Sequence, residues 1–155
     1  KEEIVKWLDQ VELIILKREA YYSECVRNKK EIPTFPKIVF LVDHFARFQQ
    51  NSDSIMHDRL AKFMKEGSYL GFSVIVAGNA PDLSKGYDAF TTELKQVRHA
   101  LLLMKKAEQN LFTLSFQRNE QDIRPGYGYF IENGKERLLQ IPYMTERGDK
   151  VEQQV

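Results

Sequence analysis

Apolar residues at Ile4, Leu8, Val11, Ile15, Tyr22 and Val26, flanked by Trp7, Ile14 and Tyr21, recur at helical spacing and predict one long amphipathic helix over residues 3 to 28. Lys6, Lys17, Arg18 and Glu19 fall on its wet face. Pro33 and Pro36 then predict an extended linker, because proline lacks a backbone donor and turns its predecessor away from helix. The pattern changes at residues 38–45, IVFLVDHF. This apolar run predicts a buried strand over 37–43 that delivers Asp43 to its end, with His44 next. Taken alone, the octapeptide also fits a plain core strand ending in a solvated carboxylate.

Ser52, Asp53 and Ser54 are candidate N-caps for a second helix, whose buried stripe is Met56, Leu60, Phe63 and Met64 and whose end falls between Gly67 and Gly71. A second apolar strand follows over 72–77. Gly78-Asn79-Ala80-Pro81 reads as a loop at its carboxyl end, where open α/β sheets hold their ligands. Asp82 or Ser84 is expected to cap a short helix reaching about Lys95. Residues 97–104 read as a third buried strand and 107–112 as a short helix, although an apolar run alone does not exclude helix at either place. Two further strands, 127–132 and 135–141, flank Asn133-Gly134, the dipeptide best suited to a type I′ turn; Pro142 closes the hairpin. Strands alternating with helices predict an α/β fold, a mainly parallel sheet with a C-terminal antiparallel hairpin, in one domain over 1–143 followed by a polar tail over 144–155.

The chain has 155 residues, 43% apolar and 29% charged, enough for an ordinary single core. A formal charge of +1, with the basic residues scattered, gives no footprint for nucleic acid or an acidic membrane surface. Cys25 is the sole cysteine, so an internal disulfide and a cysteine-based zinc cage are excluded; a buried thiol is a commoner fate for it than a reactive one. No apolar run approaches the ~20 residues of a membrane helix, so direct membrane insertion is not expected and any anchor lies outside this chain. His57 and His99 lack metal-ligand spacing. No Gly-x-Ser-x-Gly elbow occurs, and Ser84 and Ser115 read as caps or loop groups. Glu120 and Asp122 read as solvated acids of a connector. Tyr127 and Tyr129 lie on one face of a regular hairpin and are candidates for partner contact, with packing against the sheet as the commoner outcome.

Several of these segments together resemble the FtsK/SpoIIIE motor family. LKREAYY at 16–22 resembles the family's basic-acidic helix, and IPTFPKIVFLVDHFARF resembles its proline-led linker, Walker-B strand and following turn. Tyr69-Leu70-Gly71-Phe72 followed by VIVAGN is similar to the Leu-Gly turn and sensor strand, and Pro125-Gly126-Tyr127-Gly128-Tyr129 to the segment opening the closing hairpin. The resemblance covers roughly residues 12 to 143 and is greatest to the C-terminal degenerate ATPase domain of EssC-type proteins in type VII secretion. It implies a partial P-loop, RecA-like fold, the second part of an ATPase domain.

By this resemblance Asp43 is the magnesium-associated carboxylate, His44 stands where the family has its catalytic Glu, Asn79 stands at or near the sensor Gln, and Tyr127 replaces an arginine. No Gly-x-x-x-x-Gly-Lys-Ser/Thr loop occurs in the chain, so ATP and magnesium are expected only where an upstream phosphate loop is intact. The reading that follows is a noncatalytic ATPase-like module, with no catalytic residue, in the cytoplasmic part of a membrane-anchored secretion motor. Its role would be substrate recognition or regulation, with helical-hairpin secretion substrates and neighbouring ATPase domains of the same protein as partners. The alternative is an active or ATP-binding translocase moving protein or DNA, with Asp43 on magnesium and His44 or Asn79 orienting water.

Overall fold

The computed structural model describes residues 2–115, 120 and 122–141. The chain divides into two compact units, Lys1–Val97 and Arg98–Val155. The first opens with helix α1, Glu2–Arg27, which buries Leu8, Val11, Ile15 and Cys25. Tyr21 and Val26, counted by spacing toward the apolar stripe, stand about half exposed instead. Arg18 departs in the other sense: its Nη1 donates to the Pro36 carbonyl at 2.8 Å and the Leu70 carbonyl at 2.7 Å, and the guanidinium lies 5.4 Å from the Phe35 ring. A planar cation on a long apolar stem can leave the wet face to satisfy carbonyls that no helix or strand uses.

Strand β1, Ile38–Val42, pairs in parallel with β2, Phe72–Val76, in a register that sets Ile38 opposite Phe72 and Val42 opposite Val76. Both strands fall where the apolar runs predict them. Between them lie α2, Phe45–Asn51, and α3, Ser54–Glu66. Asp53 caps α3, accepting from the Met56 amide at 3.0 Å, and Met56, Leu60 and Phe63 are buried as the stripe requires. Helix α2 is not foreshadowed by the residue pattern, because seven residues capped by a histidine carry none of the usual starting signals. The core joins Leu8, Val11 and Ile15 to Phe45, Met56, Leu60, Phe63, Leu70, Phe72 and Phe90.

After β2 the predicted single helix is two: α4, Ala80–Lys85, and α5, Ala89–Leu94. Neither Asp82 nor Ser84 is a cap. Asn79 holds the N-cap position of α4, so Ala80 and Pro81 belong to a helix and not to the expected loop; proline's fixed φ suits a first helical turn. Ser84 Oγ instead donates back to the Pro81 carbonyl at 3.0 Å. Asp88 caps α5.

In the second unit β3, His99–Leu102, β4, Tyr127–Glu132, and β5, Lys135–Gln140, form an antiparallel sheet in the order β3-β4-β5. The expectation of a mainly parallel sheet is therefore corrected: among the described residues one strand pairing is parallel and two are antiparallel. An apolar run sets neither the partner nor the direction of its strand, and β3 takes its hydrogen bonds from the hairpin. The hairpin turn has φ of 51° at Asn133 and 76° at Gly134, the positive pair expected of Asn-Gly. The helix expected over 107–112 shrinks to a 3₁₀ turn, Lys106–Glu108. Gln109 ends it, because its side-chain oxygen accepts from the Leu111 and Phe112 amides at 2.8 Å each and diverts them from helical bonding. Pro142 and the polar tail lie outside the described residues.

Candidate functional site

The carboxyl edge of the parallel pair gathers three of the sequence-selected residues. The Ala77 amide donates to the Val42 carbonyl at 2.7 Å and the Phe45 amide to the Ala77 carbonyl at 3.0 Å, so the ladder continues past both strand ends. Asp43 and His44 lie between the two ladder residues of one chain segment, and Gly78 and Asn79 follow Ala77 on the other. All four are exposed. The loops meet closely at Gly78, where a Cβ would stand 2.8 Å from Phe45 Cβ. A side chain there would wedge the two loops apart.

His44 is built into the scaffold. It is the N-cap of α2, and its Nδ1 accepts from the Arg47 amide at 3.3 Å. One ring nitrogen is thus committed as an acceptor to a helix start that otherwise has no capping oxygen. Asn79 occupies its N-cap position with no side-chain capping bond. Among the described residues no group of three His, Cys, Asp or Glu side chains could hold a metal ion. Asp43 is a single exposed carboxylate at this edge, and magnesium commonly takes only one or two carboxylates where phosphates and water fill its other positions. The chain has no phosphate loop to supply the remainder.

The same unit holds a partly buried polar network that spacing does not reveal. His57, on α3 and 7% exposed, has Nδ1 3.0 Å from Asp88 Oδ1 and Nε2 2.6 Å from Ser52 Oγ. Asp88 also accepts from the Thr91 amide at 3.0 Å and the Thr91 hydroxyl at 2.6 Å, and Gln49 Nε2 reaches both residues. The order Ser52, His57, Asp88 is that of a hydrolase triad, but the chemistry differs. Ser52 ends α2 and donates to the Phe48 carbonyl at 2.7 Å, so its hydroxyl hydrogen serves the helix end and the network ties α2, α3 and α5 together. The signal in the sequence is Asp88 three residues ahead of Thr91, the spacing at which an N-cap carboxylate meets the N3 amide.

Burial pushes the Asp88 carboxyl up, yet the Thr91 hydroxyl and amide and the His57 charge outweigh it and hold the group below its ordinary value. Its folded value is therefore below the unfolded one. The native chain binds fewer protons between the two values, so this stabilisation is complete above about pH 4 and disappears as pH falls through the folded value. Thermal unfolding at stepped pH should show a shallower acid-side loss for Asp88→Asn than for the parent chain. Equal slopes would mean that the carboxyl contributes nothing.

In the second unit Tyr127 and Tyr129 share a face of β4 as expected, but both are half-buried and form no open platform. Lys106 Nζ lies 5.2 Å from the Tyr129 ring and donates to Glu136 at 3.0 Å. Glu120, expected to be solvated, accepts from the Lys106 and Ala107 amides at 3.0 and 3.2 Å. Burial raises its carboxyl, but those amides and the Tyr129 hydroxyl win and hold it low. The hydrogen bond from Ser115, and then Lys106, likewise hold Glu136 below the usual carboxylate range. His99 faces Glu132 across the sheet at 3.6 Å.

No protein-family model matches the chain. Individual proteins do: the chain is 51% identical over 143 residues to the ESX secretion system protein YukB of Bacillus subtilis strain 168, and 49% identical over 143 residues to the ESX secretion system protein EccC of Geobacillus thermodenitrificans strain NG80-2. The chain is homologous to part of the EssC/EccC/YukB type VII secretion proteins. Each match takes in 92% of this chain and 10% of the relative, so the chain spans about a tenth of the length of these proteins. Two solved structures agree with the EssC/EccC homology at 48% identity. The cytoplasmic domain of EssC gives a TM-score of 0.86 over 91% of this chain and 28% of that one. EssC (ATPases 2 and 3) from Geobacillus thermodenitrificans gives 0.83 over 92% and 26%. The mixed parallel and antiparallel α/β arrangement is thus that of EssC structures. Among the described residues of this EssC/EccC homologue, no helix is long and apolar enough to cross a membrane.

Proposed function

We propose that this EssC/EccC homologue is the second part of a P-loop, RecA-like ATPase module that keeps the outline of a nucleotide site without turning over ATP, and that acts in substrate recognition or regulation. The observation that carries this reading is His44. A motor needs a carboxylate after the Walker-B Asp to orient water, and here an imidazole occupies the place with Nδ1 held by the Arg47 amide. Asn79 in place of a sensor Gln and Tyr127 in place of an arginine remove two more groups that would steady phosphate charge.

One solved relative, EssC (ATPases 2 and 3), holds two ATPases in a chain of which this match covers 26%. Two equal units would each take half, so about half of one unit lies outside the present residues. That remainder would supply the phosphate loop, and where it is intact ATP would bind with Asp43 as a magnesium ligand. Neighbouring ATPase units of the same cytoplasmic, membrane-anchored protein and helical-hairpin secretion substrates are the proposed partners. The second reading, an active translocase, draws support from the retained Asp43 at the carboxyl edge.

ATP turnover by the polypeptide extended to the whole unit separates the two. It is expected at background, unchanged by Asp43→Ala. Turnover abolished by that substitution would establish an ATPase. Nucleotide binding without turnover would assign ATP a structural role in the module.

A further inference from the structure

The contacts around buried His57 ask for more hydrogens than a neutral imidazole carries. The Ser52 hydroxyl has a single hydrogen, and the Phe48 carbonyl, one of the last four of α2, takes it at 2.7 Å. Ser52 Oγ, 2.6 Å from Nε2, must then accept from the ring. On the other side Asp88 Oδ1 stands 3.0 Å from Nδ1, and a carboxylate has no hydrogen to give. Both ring nitrogens therefore donate, which only the imidazolium can do. The Phe48 ring, stacked on the imidazole with centroids 5.8 Å apart, presents a π face that suits this charge. Asp88 is the charged group that these bonds set against the ring. The other charges of the packed helices are matched among themselves: Arg59 of α3 with Asp9 and Glu12 of α1, and Lys65 of α3 with Glu93 of α5. Asp53 serves the start of α3 through the Met56 amide, and Gln49 and Thr91, which also bond Asp88, are neutral.

We propose that His57 is a proton-operated pin on α2. With the ring charged, Ser52 closes the carbonyl end of α2 while accepting from Nε2, and Nδ1 ties the same ring to the cap of α5. When the Nε2 proton leaves for solvent, the Nδ1 hydrogen stays with the Asp88 carboxylate, and the Ser52 hydrogen turns from the Phe48 carbonyl to the bare nitrogen. A helix of seven residues has little stability of its own, so a lost end bond is felt along its length. Because α2 starts at His44, the pin sets how firmly the candidate nucleotide edge is held. This device does not depend on ATP binding or turnover.

The test is hydrogen exchange read by mass spectrometry on the full-length protein carrying His44→Asn, which keeps a capping acceptor and removes the second imidazole of this helix. Exchange at the ring C2 carbon of His57 gives its titration. Amide exchange over residues 45–51, corrected for the intrinsic effect of pH, gives the protection of α2. The expected result is an about tenfold loss of protection as pH rises through the His57 midpoint, the size of one charge-assisted hydrogen bond. Ser52→Ala should abolish this step and leave α2 weakly protected throughout; should that variant fail to fold, His57→Gln removes the titrating ring and should abolish the same step. The inference is overturned by the absence of a step at that midpoint, by a step that survives either variant, or by a ring that keeps one charge state across the pH range in which the protein stays folded.

Discussion

Phe90→Ala is expected to lower the unfolding free energy by about 4 kcal/mol, the upper part of the range for emptying a buried phenylalanine site. Phe90 is fully buried, and its ring stands 6.4 Å from Phe45, 5.7 Å from Phe48 and 6.1 Å from His57. The three rings belong to α2 and α3, so the cavity would open behind the helix that His44 starts. The Ser52–His57–Asp88 network fixes the same helices by hydrogen bonds and limits their collapse into the space. Chemical denaturation with parent and variant side by side reads the difference from the midpoint at constant slope. A change below about 1 kcal/mol would mean that the site closes without cost and that the aromatic cluster does not hold α2 in place.

Lys106→Ala is expected to cost about 3 kcal/mol, because it leaves the Glu136 carboxylate without its buried cation. Lys106 is 7% exposed; its ammonium meets Glu136 at 3.0 Å and stands over the Tyr129 ring. Ser115 still donates to Glu136, which keeps the loss below that of a bare charge. The double variant Lys106→Ala with Glu136→Gln should recover part of the loss, since a neutral amide tolerates burial better than an orphaned carboxylate. Should the double variant be less stable by the sum of both single effects, the pair does not interact, and the lysine acts through its packing on Tyr129 alone.

Local chemistry made much of this molecule legible. The apolar runs place β1 and β2 within a residue of their observed ends, Asn133-Gly134 makes the turn that its two positive φ values suit, and Asp53 caps α3 as its neighbours imply. The meeting of Asp43 and Asn79 at one edge was legible for the same reason: each follows an apolar strand, and two parallel neighbours bring their carboxyl ends together. The fate of His44 was less visible. A histidine is an uncommon cap, and the bond from the Arg47 amide depends on a helix of seven residues that propensity does not announce.

Arg18 and His57 show where such reading stops. Spacing puts Arg18 on the wet face, yet its guanidinium turns to carbonyls of Pro36 and Leu70, the second of them 52 positions away. His57 finds its carboxylate at Asp88, the cap of α5. The direction of β3 is of the same kind: its apolar run names no neighbour, and the strand, expected to be buried, pairs antiparallel with β4 and leaves His99 and Leu101 exposed. Turn geometry, caps and strand ends are set by residues within a few positions of one another, so they follow from the chain's own order. The destination of a long cation, the partner of a buried imidazole and the neighbour of an edge strand depend on which distant groups arrive with unmet hydrogen bonds, and that is settled when the elements pack.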